Sequence, residues 1–407
     1  MHKSSFVLLL LALAGLIAPA RSDSAPAGSA PTLPLDLDLP TALRMADAIN
    51  PDLSRSRERI NERKAALKVT HSSMLPDLTA FGLYQLEDDG RTGSFGGDNP
   101  PDDEQWRAGV ELLQPLYSGG ILCASDRARR HELQAVRDDV ITTRARILSN
   151  VYRAYYDALL AREVVKVQEE SLDLIKRQLD IARNRFDAGA GPKFDVLQAE
   201  VRVANARPPL IRAVNDFRTA IETLRTSIGA IYPDGAGPTN VVLSGSWDTT
   251  PSLGDLDTAV ETALQNRSEL RSLQQLRDAA LETVKRNRGE RAPKIDLFAN
   301  YAVENDRYSA DDDTLDGWQA GVKATLSIWE GGKVSGQIAQ AQSVYDQLAY
   351  QVETRRLDIE LEVRNAWNDA EEAREILDAA TLVITQAEEA LRLAQNRYSV
   401  GALTQLD

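Results

Sequence analysis

The stretch RNRFDAGAGPKFD, residues 183–195, returns as QNRYSVGALTQLD, residues 395–407. The recurrence extends beyond it: Trp106, Gly109, Gly119, Gly120 and Gly189 reappear as Trp318, Gly321, Gly331, Gly332 and Gly401, each pair 212 positions apart (318 − 106; 401 − 189). Upstream the offset is 217, because Leu39, Ala42 and Pro76 correspond to Leu256, Ala259 and Pro293 (256 − 39; 293 − 76). Self-similarity on this scale defines the structural unit and means a duplicated half, not a short solenoid repeat. The five-residue change of offset falls between Pro76 and Trp106, where RTGSFGGDNPPDD (residues 91–103) reads as a loop.

At 407 residues the chain could hold two or three ordinary domains, but the duplication argues for one pseudo-symmetric body. Aromatics are sparse (6%) and charged residues frequent (27%), which suits long packed helices more than a thick aromatic core. A net charge of −14 excludes the basic footprint that nucleic acid requires. Lys3, the apolar run at residues 6–17 and Ala18-Pro19-Ala20 read as a secretory signal cleaved near Ala20. No cysteine follows the cleavage site to carry a lipid anchor, and Cys123, the only cysteine, cannot form an intramolecular disulfide. After the signal there is no apolar run of 18 or more residues, so membrane entry would have to use strands.

Residues 40–72 have a helical pattern interrupted at Asn50-Pro51, with a counterpart at 257–291. Each is followed by a proline and then by strict alternation. In KIDLFANYAVE (294–304), Ile295, Leu297, Ala299, Tyr301 and Val303 share one face and Asp296, Asn300 and Glu304 the other; in WQAGVKATLSI (318–328), Trp318, Val322 and Leu326 oppose Lys323 and Thr325. Period two over ten residues predicts strands. The first half shows the same hairpin more weakly, at 77–86 and 106–113. Past each Gly-Gly pair come nearly 70 residues without proline. Their apolar positions step by four and three: Ile359, Val363, Ala366, Ala370, Ala373, Leu377, Ala380, Ile384, Ala387, Leu391, Ala394 and Tyr398. The series 212 positions earlier, from Ile147 to Phe186, is broken only by Gln168. A 3.5-residue repeat specifies left-handed coiled-coil packing, on helices about 100 Å long.

Gly189 and Gly401 suit left-handed helix caps, after which Pro192 fits a first helical turn and Asp195 the positive helix end. The returning helix runs to about Gly229, with a kink or break expected at Pro208-Pro209. The second half stops at Asp407, the counterpart of Asp195, and so lacks a returning helix; a fragment or a shortened product would explain this. The resulting organisation is a signal peptide at 1–20, an N-terminal extension at 21–38 and a first repeat at 39–230 with its hairpin at 77–116. A connector at 231–255 then leads to a second repeat at 256–407 with its hairpin at 294–328.

If the four strands span a membrane, they cannot close alone, since the smallest bacterial barrels use about eight. The protein would then oligomerise, with Asn300, Lys323 and Thr325 facing a water-filled lumen and Leu297, Val322 and Leu326 facing lipid. A soluble antiparallel sheet packed on helices is the competing account of the same alternation. His71 and His131 lack a metal pattern, and the acidic run at 311–313 lacks calcium-loop spacing and reads as a solvated loop. No nucleophile elbow, phosphate loop, metal or cofactor motif is present, so an enzyme is not expected.

The duplicated plan resembles the TolC-like outer membrane factors of tripartite efflux and type I secretion. The marks are LLQPLYSGG (112–120), LSIWEGG (326–332), and the tips RFDAGAGPKFDVLQAE (185–200) and RYSVGALTQLD (397–407). The resemblance covers residues 39–407. It implies a mainly α fold with a membrane β part: a homotrimer whose twelve strands share one barrel in the outer membrane, its helices continuing as an α-barrel into the periplasm. The partners implied are a periplasmic adaptor, an inner-membrane transporter and outer membrane lipid, with the channel itself passive. Arg185, Gly189, Asp195, Arg397, Gly401 and Asp407 would lie at the entrance. Where such proteins often carry an arginine that helps hold the entrance shut, this chain has Leu403. The alternatives are a periplasmic coiled-coil adaptor or scaffold without a pore, which would show one helical hairpin between β modules, and a truncated, non-functional channel subunit.

Overall fold

The structure, a computed structural model, describes residues 32–86, 104–233, 236–245, 247, 254–305 and 314–399. The predicted signal peptide, the RTGSFGGDNPPDD loop, the acidic run at 311–313, Gly401, Leu403 and Asp407 lie outside the described residues. The chain begins with β1 (Asp36–Leu37), α1 (Leu39–Ile49), α2 (Pro51–Ser72), β2 (Asp77–Leu86) and β3 (Glu104–Tyr117). There follow α3 (Ile121–Asp187), α4 (Lys193–Ile228), a 3-10 turn at Pro238–Asn240 and β4 (Val242–Leu243). The second half contributes α5 (Leu256–Asn266), α6 (Ser268–Gly289), β5 (Lys294–Asn305), β6 (Thr314–Thr325) and α7 (Lys333–Ser399).

The two sequence offsets recur in the element boundaries. Helices α5 and α6 begin and end 217 residues after α1 and α2 (256 − 39; 289 − 72), and α7 begins and ends 212 after α3 (333 − 121; 399 − 187). Local chemistry repeats with them. Asp38 accepts a hydrogen bond from the Thr41 amide (2.9 Å) at the start of α1, and Asp255 accepts one from the Thr258 amide (3.0 Å) at the start of α5. Such side-chain caps satisfy amides that the first helical turn leaves orphaned.

The break between α1 and α2 is made by Asn50, whose side chain accepts from the amides of Asp52 (3.0 Å) and Leu53 (3.3 Å), with Pro51 in the first turn of α2. The counterpart break at Arg267 carries no proline. Arg267 is extended (φ −64°, ψ 121°) and ion-pairs with Glu269 (3.0 Å) and Glu362 (2.6 Å). Arg355 closes the ring onto the same two carboxylates at 3.1 and 3.0 Å. Helix interruption here is set by ion pairs to α7, which local propensity cannot reveal.

The described residues divide into two compact units. One comprises the described residues of 32–45 and 153–244 and contains the later part of α3 with α4. Its core includes Leu37, Tyr155, Leu159, Ile221, Leu224 and Ile228. Strands β1 and β4 pair in parallel there, and Arg162 donates to the Leu243 carbonyl (2.6 Å). Helix α4 continues unbroken through Pro208 and Pro209, contrary to the expected kink or break. Val203 and Ala206 before the prolines and Leu210 after them pack on the cluster formed with α3, and this tertiary burial outweighs the lost amide donors. Gly229 ends α4 with φ +84°.

The other unit, the described residues of 46–152 and 245–399, holds the four-stranded antiparallel sheet in the order β2-β3-β5-β6. Where strand passes to helix, two backbones touch: a β-carbon on Gly119 (φ +62°) would sit 2.4 Å from the Gly289 carbonyl oxygen, and one on Gly289 would sit 2.6 Å from that of Gly119. Nearby, Glu282 is buried between Arg127 (2.7 Å) and Lys285. Burial alone would raise its carboxyl, but hydrogen bonds from Lys285 and Arg127 outweigh it and hold the group below the usual glutamate range.

Two outcomes are expected. Gly289→Ala should destabilise the fold by about 1–3 kcal/mol through this backbone overlap, whereas Gly336→Ala, in α7 with open space around it, should be neutral or gain up to about 1 kcal/mol; thermal melts of the two variants check this. The Glu282 contribution is complete above the unfolded carboxyl value, about 4.3, and is lost as pH falls through the lower folded value. Glu282→Gln should therefore lower the melting temperature at pH 7 and flatten its decline below about pH 4.3, measured as melting temperature against pH.

Candidate functional site

The sheet carries the first candidate site. Cross-strand partners lie on one face, so the register sorts every strand residue into one of two rows. Leu297 faces Val322, Tyr301 faces Trp318, Val110 faces Tyr301, and Leu112 faces Ala299: this face is apolar apart from its ends, where residues such as Gln114, Asn305, Thr314 and Asp316 lie. It is also open, with Leu78 70%, Val322 61% and Trp318 78% exposed. On the opposite face Asn300 meets Gln319 and Glu111, Asp296 meets Lys323, and Lys294 meets Thr325. There Arg107 pairs with Glu304 (3.5 Å), and Gln85 donates to Gln105 (2.7 Å). Asn300, Lys323 and Thr325 thus share one face, and Leu297 and Val322 share the other. Among the described residues the sheet's broad contacts are strand to strand, which disfavours a soluble sheet covered by helices.

Leu326 departs from its expected place in the strand. The ladder ends at Lys294 opposite Thr325, because Pro293 has no amide to continue it, and Leu326 lies one residue beyond β6. The alternation also did not reveal how glycines are covered. The Phe81 ring lies over Gly109 and the Phe298 ring over Gly321, each with its nearest ring atom 3.0 Å from the position a β-carbon would take. The two pairs correspond by the 217 and 212 offsets, and both lie on the polar face. The sequence signal was the repeated phenylalanine and glycine, legible only once the register was known.

The second candidate site is the tip between α3 and α4. Helix α3 ends in a Schellman motif: the Ala190 amide donates to the Arg185 carbonyl (2.7 Å) and the Gly189 amide to that of Phe186 (2.9 Å), with Gly189 at φ +69°. Pro192 is the extended N-cap residue, one position before the helical turn expected of it, and Asp195 falls in the first turn of α4. Arg183 bonds Glu200 across the hairpin (2.7 Å). Below it Leu172, Leu179 and Ala182 bury against Ala199 and Val203, and Gln168 sits half-buried without interrupting the stripe. The α7 counterparts of Leu172 and Leu179, Ile384 and Leu391, remain exposed. Arg397 belongs to α7, while Gly401 and Asp407 are not among the described residues.

A family described as Outer membrane efflux protein matches residues 42–230 and 259–407, leaving out the whole connector between the halves. The chain belongs to the outer membrane efflux protein family. The outer membrane efflux protein BepC of Brucella suis is 27% identical over 370 residues, covering 90% of this chain and 77% of that protein. The outer membrane protein TolC of Escherichia coli is 24% identical over 371 residues, covering 88% and 73%. The crystal structure of VceC from Vibrio cholerae superposes with a TM-score of 0.74 at 18% identity, covering 90% of this chain and 87% of that one. Like its family, this outer membrane efflux protein is an export channel of an efflux or secretion system.

The tip geometry of this family member is directly testable. Gly189→Ala should cost about 1 kcal/mol locally because of the left-handed backbone, whereas Gly191→Ala would make only an ordinary 3.5 Å contact with the Arg185 side chain. Hydrogen exchange over residues 180–200 should speed up in the first variant and stay unchanged in the second.

Proposed function

We propose that three copies of this chain form a passive conduit across the outer membrane, each contributing β2, β3, β5 and β6 to one twelve-stranded barrel. The observation that carries the reading is the two-faced open sheet: an exposed apolar row on one side, a polar row on the other, and edge strands β2 and β6. In hydrocarbon every backbone donor and acceptor must be paired, so such a sheet requires closure by further copies. Its dimensions support membrane crossing. Strand β5 has 12 residues. At ~3.3 Å each and a tilt near 40°, twelve residues rise about 30 Å, enough for an apolar band of about 25 Å. Tyr84 opposite Trp106, and Tyr301 opposite Trp318, supply amphipathic aromatics in the apolar row, as an interfacial belt requires.

On this reading Leu297 and Val322 meet lipid, with Leu326 just below the strand, and Asn300, Lys323 and Thr325 line the water-filled lumen. The long helices extend into the periplasm as an α-barrel. The tips bearing Arg185, Gly189 and Asp195, and those bearing Arg397, Gly401 and Asp407, form the entrance that a periplasmic adaptor and inner-membrane transporter engage. Cargo moves by the partner pump's work, with no catalytic step in this chain. An adaptor without a pore would have no use for an amphipathic four-stranded sheet.

Val322→Arg should abolish stable assembly in the outer membrane, since an arginine facing lipid near mid-membrane costs about 2–4 kcal/mol per copy. Thr325→Arg, on the opposite face, should assemble normally. Equal yields of folded oligomer from washed outer membranes would overturn the assignment of faces.

A further inference from the structure

The two hairpins repeat one device on the polar face of the sheet, with one part changed. In the first, the Phe81 ring lies over Gly109, and the Arg107 guanidinium lies over that ring, 5.6 Å from its centroid, while pairing with Glu304 of β5 (3.5 Å). The face of an aromatic ring is its negative side, and a guanidinium at this distance is attracted to it. In the second hairpin Phe298 lies over Gly321 in the same way. The position equivalent to Arg107, 212 residues on, is Gln319, so that place supplies no cation to the Phe298 ring.

The strand register sets a carboxylate without a counterion beside that ring. Leu113 of β3 stands opposite Phe298, and Glu111 stands opposite Asn300, two residues further along the same face. Diagonal neighbours in a sheet are about 7–8 Å apart, within reach of long and aromatic side chains. Among the described residues, Glu111 is exposed and takes part in no ion pair. The other charges nearby oppose each other, since Asp296 stands across from Lys323. Leu113 is 43% exposed and adds apolar surface next to the ring. A small hydrated ion gains nothing from a phenylalanine and a leucine, whereas an ion with an apolar body covers both.

We propose that Phe298, Leu113 and Glu111 form a binding site for an organic cation with an apolar body, such as a quaternary ammonium ion. The Phe298 ring takes the positive charge as Phe81 takes Arg107, Glu111 is the counterion, and Leu113 covers part of the body. Gly321 seats the ring, because a β-carbon there would come within 3.0 Å of it. The first hairpin offers no second site of this kind, since Arg107 already lies on its ring. All these residues belong to one copy of the chain, so binding itself needs no neighbour. That the ion meets the site as cargo moving through a lumen rests on the channel reading above.

Ligand-observed NMR on the full chain, solubilised from washed outer membranes, reads the binding. The probe is benzyltrimethylammonium, and benzenesulfonate, with a similar ring and the opposite charge, is the control. The parent chain should bind the cation at least about fivefold more tightly than the anion. Phe298→Leu and Glu111→Gln should each weaken cation binding by about three- to tenfold, while Phe81→Leu should leave it unchanged. Gln319→Arg supplies the missing guanidinium from within the chain and should weaken binding by at least about tenfold. Gln319 is exposed, so this variant decides the matter even if Phe298→Leu fails to fold. Binding that survives Gln319→Arg, or equal affinity for the two probes, overturns the site. A native gel of the same sample reads the ring separately. An oligomer that does not bind the cation refutes the site and leaves the channel standing; binding by a chain recovered only as monomer keeps the site and refutes the ring.

Discussion

Backbone hydrogen bonding at the edges of a sheet is the constraint on which this molecule depends. In water an unpaired edge is a nuisance that solvent tolerates, while in hydrocarbon it is prohibitive. Strands β2 and β6 present such edges, and the same sheet leaves Leu78, Val322 and Trp318 exposed. The conflict cannot be resolved within one chain. If the sheet spans a membrane, as proposed above, closure falls to neighbouring copies and the exposed apolar row meets lipid.

Duplication supplies a simple solution. It places two equivalent hairpins side by side in one sheet, joined through β3 and β5. The internal seam shows what a satisfied contact looks like, with Gly119 and Gly289 touching through their backbones and Asp138 held by Arg271. The ring of Arg267, Glu269, Arg355 and Glu362 belongs to the second half alone, since Asn50 caps α2 at the corresponding place in the first. Equivalent backbone positions are thus stabilised by unrelated chemistry, as expected where selection acts on the break and not on the means of making it.

Much of this was legible in the sequence because period and offset are properties of the chain itself. The alternation in KIDLFANYAVE assigned the faces of β5, and the Gly189 cap and the helix lengths followed from local signals. What was not legible depended on contacts distant in sequence. The break at Arg267 is enforced by residues of α7 some 90 positions away, and α4 survives Pro208 and Pro209 because Val203 and Leu210 are held by α3. Leu326 fell outside its strand because the residue limiting the ladder, Pro293, lies on the partner strand. At the tip, the Schellman bonds were readable from Gly189, but the bridge from Arg183 to Glu200 needed the hairpin's actual alignment.

The change of offset from 217 to 212 occurs wholly in the hairpin connection between β2 and β3, and the ladders on either side keep the same pairing as their counterparts. Connection length is therefore uncoupled from register. For protein engineering this makes the segment a natural insertion site: added length there leaves the pairing of the flanking strands unchanged.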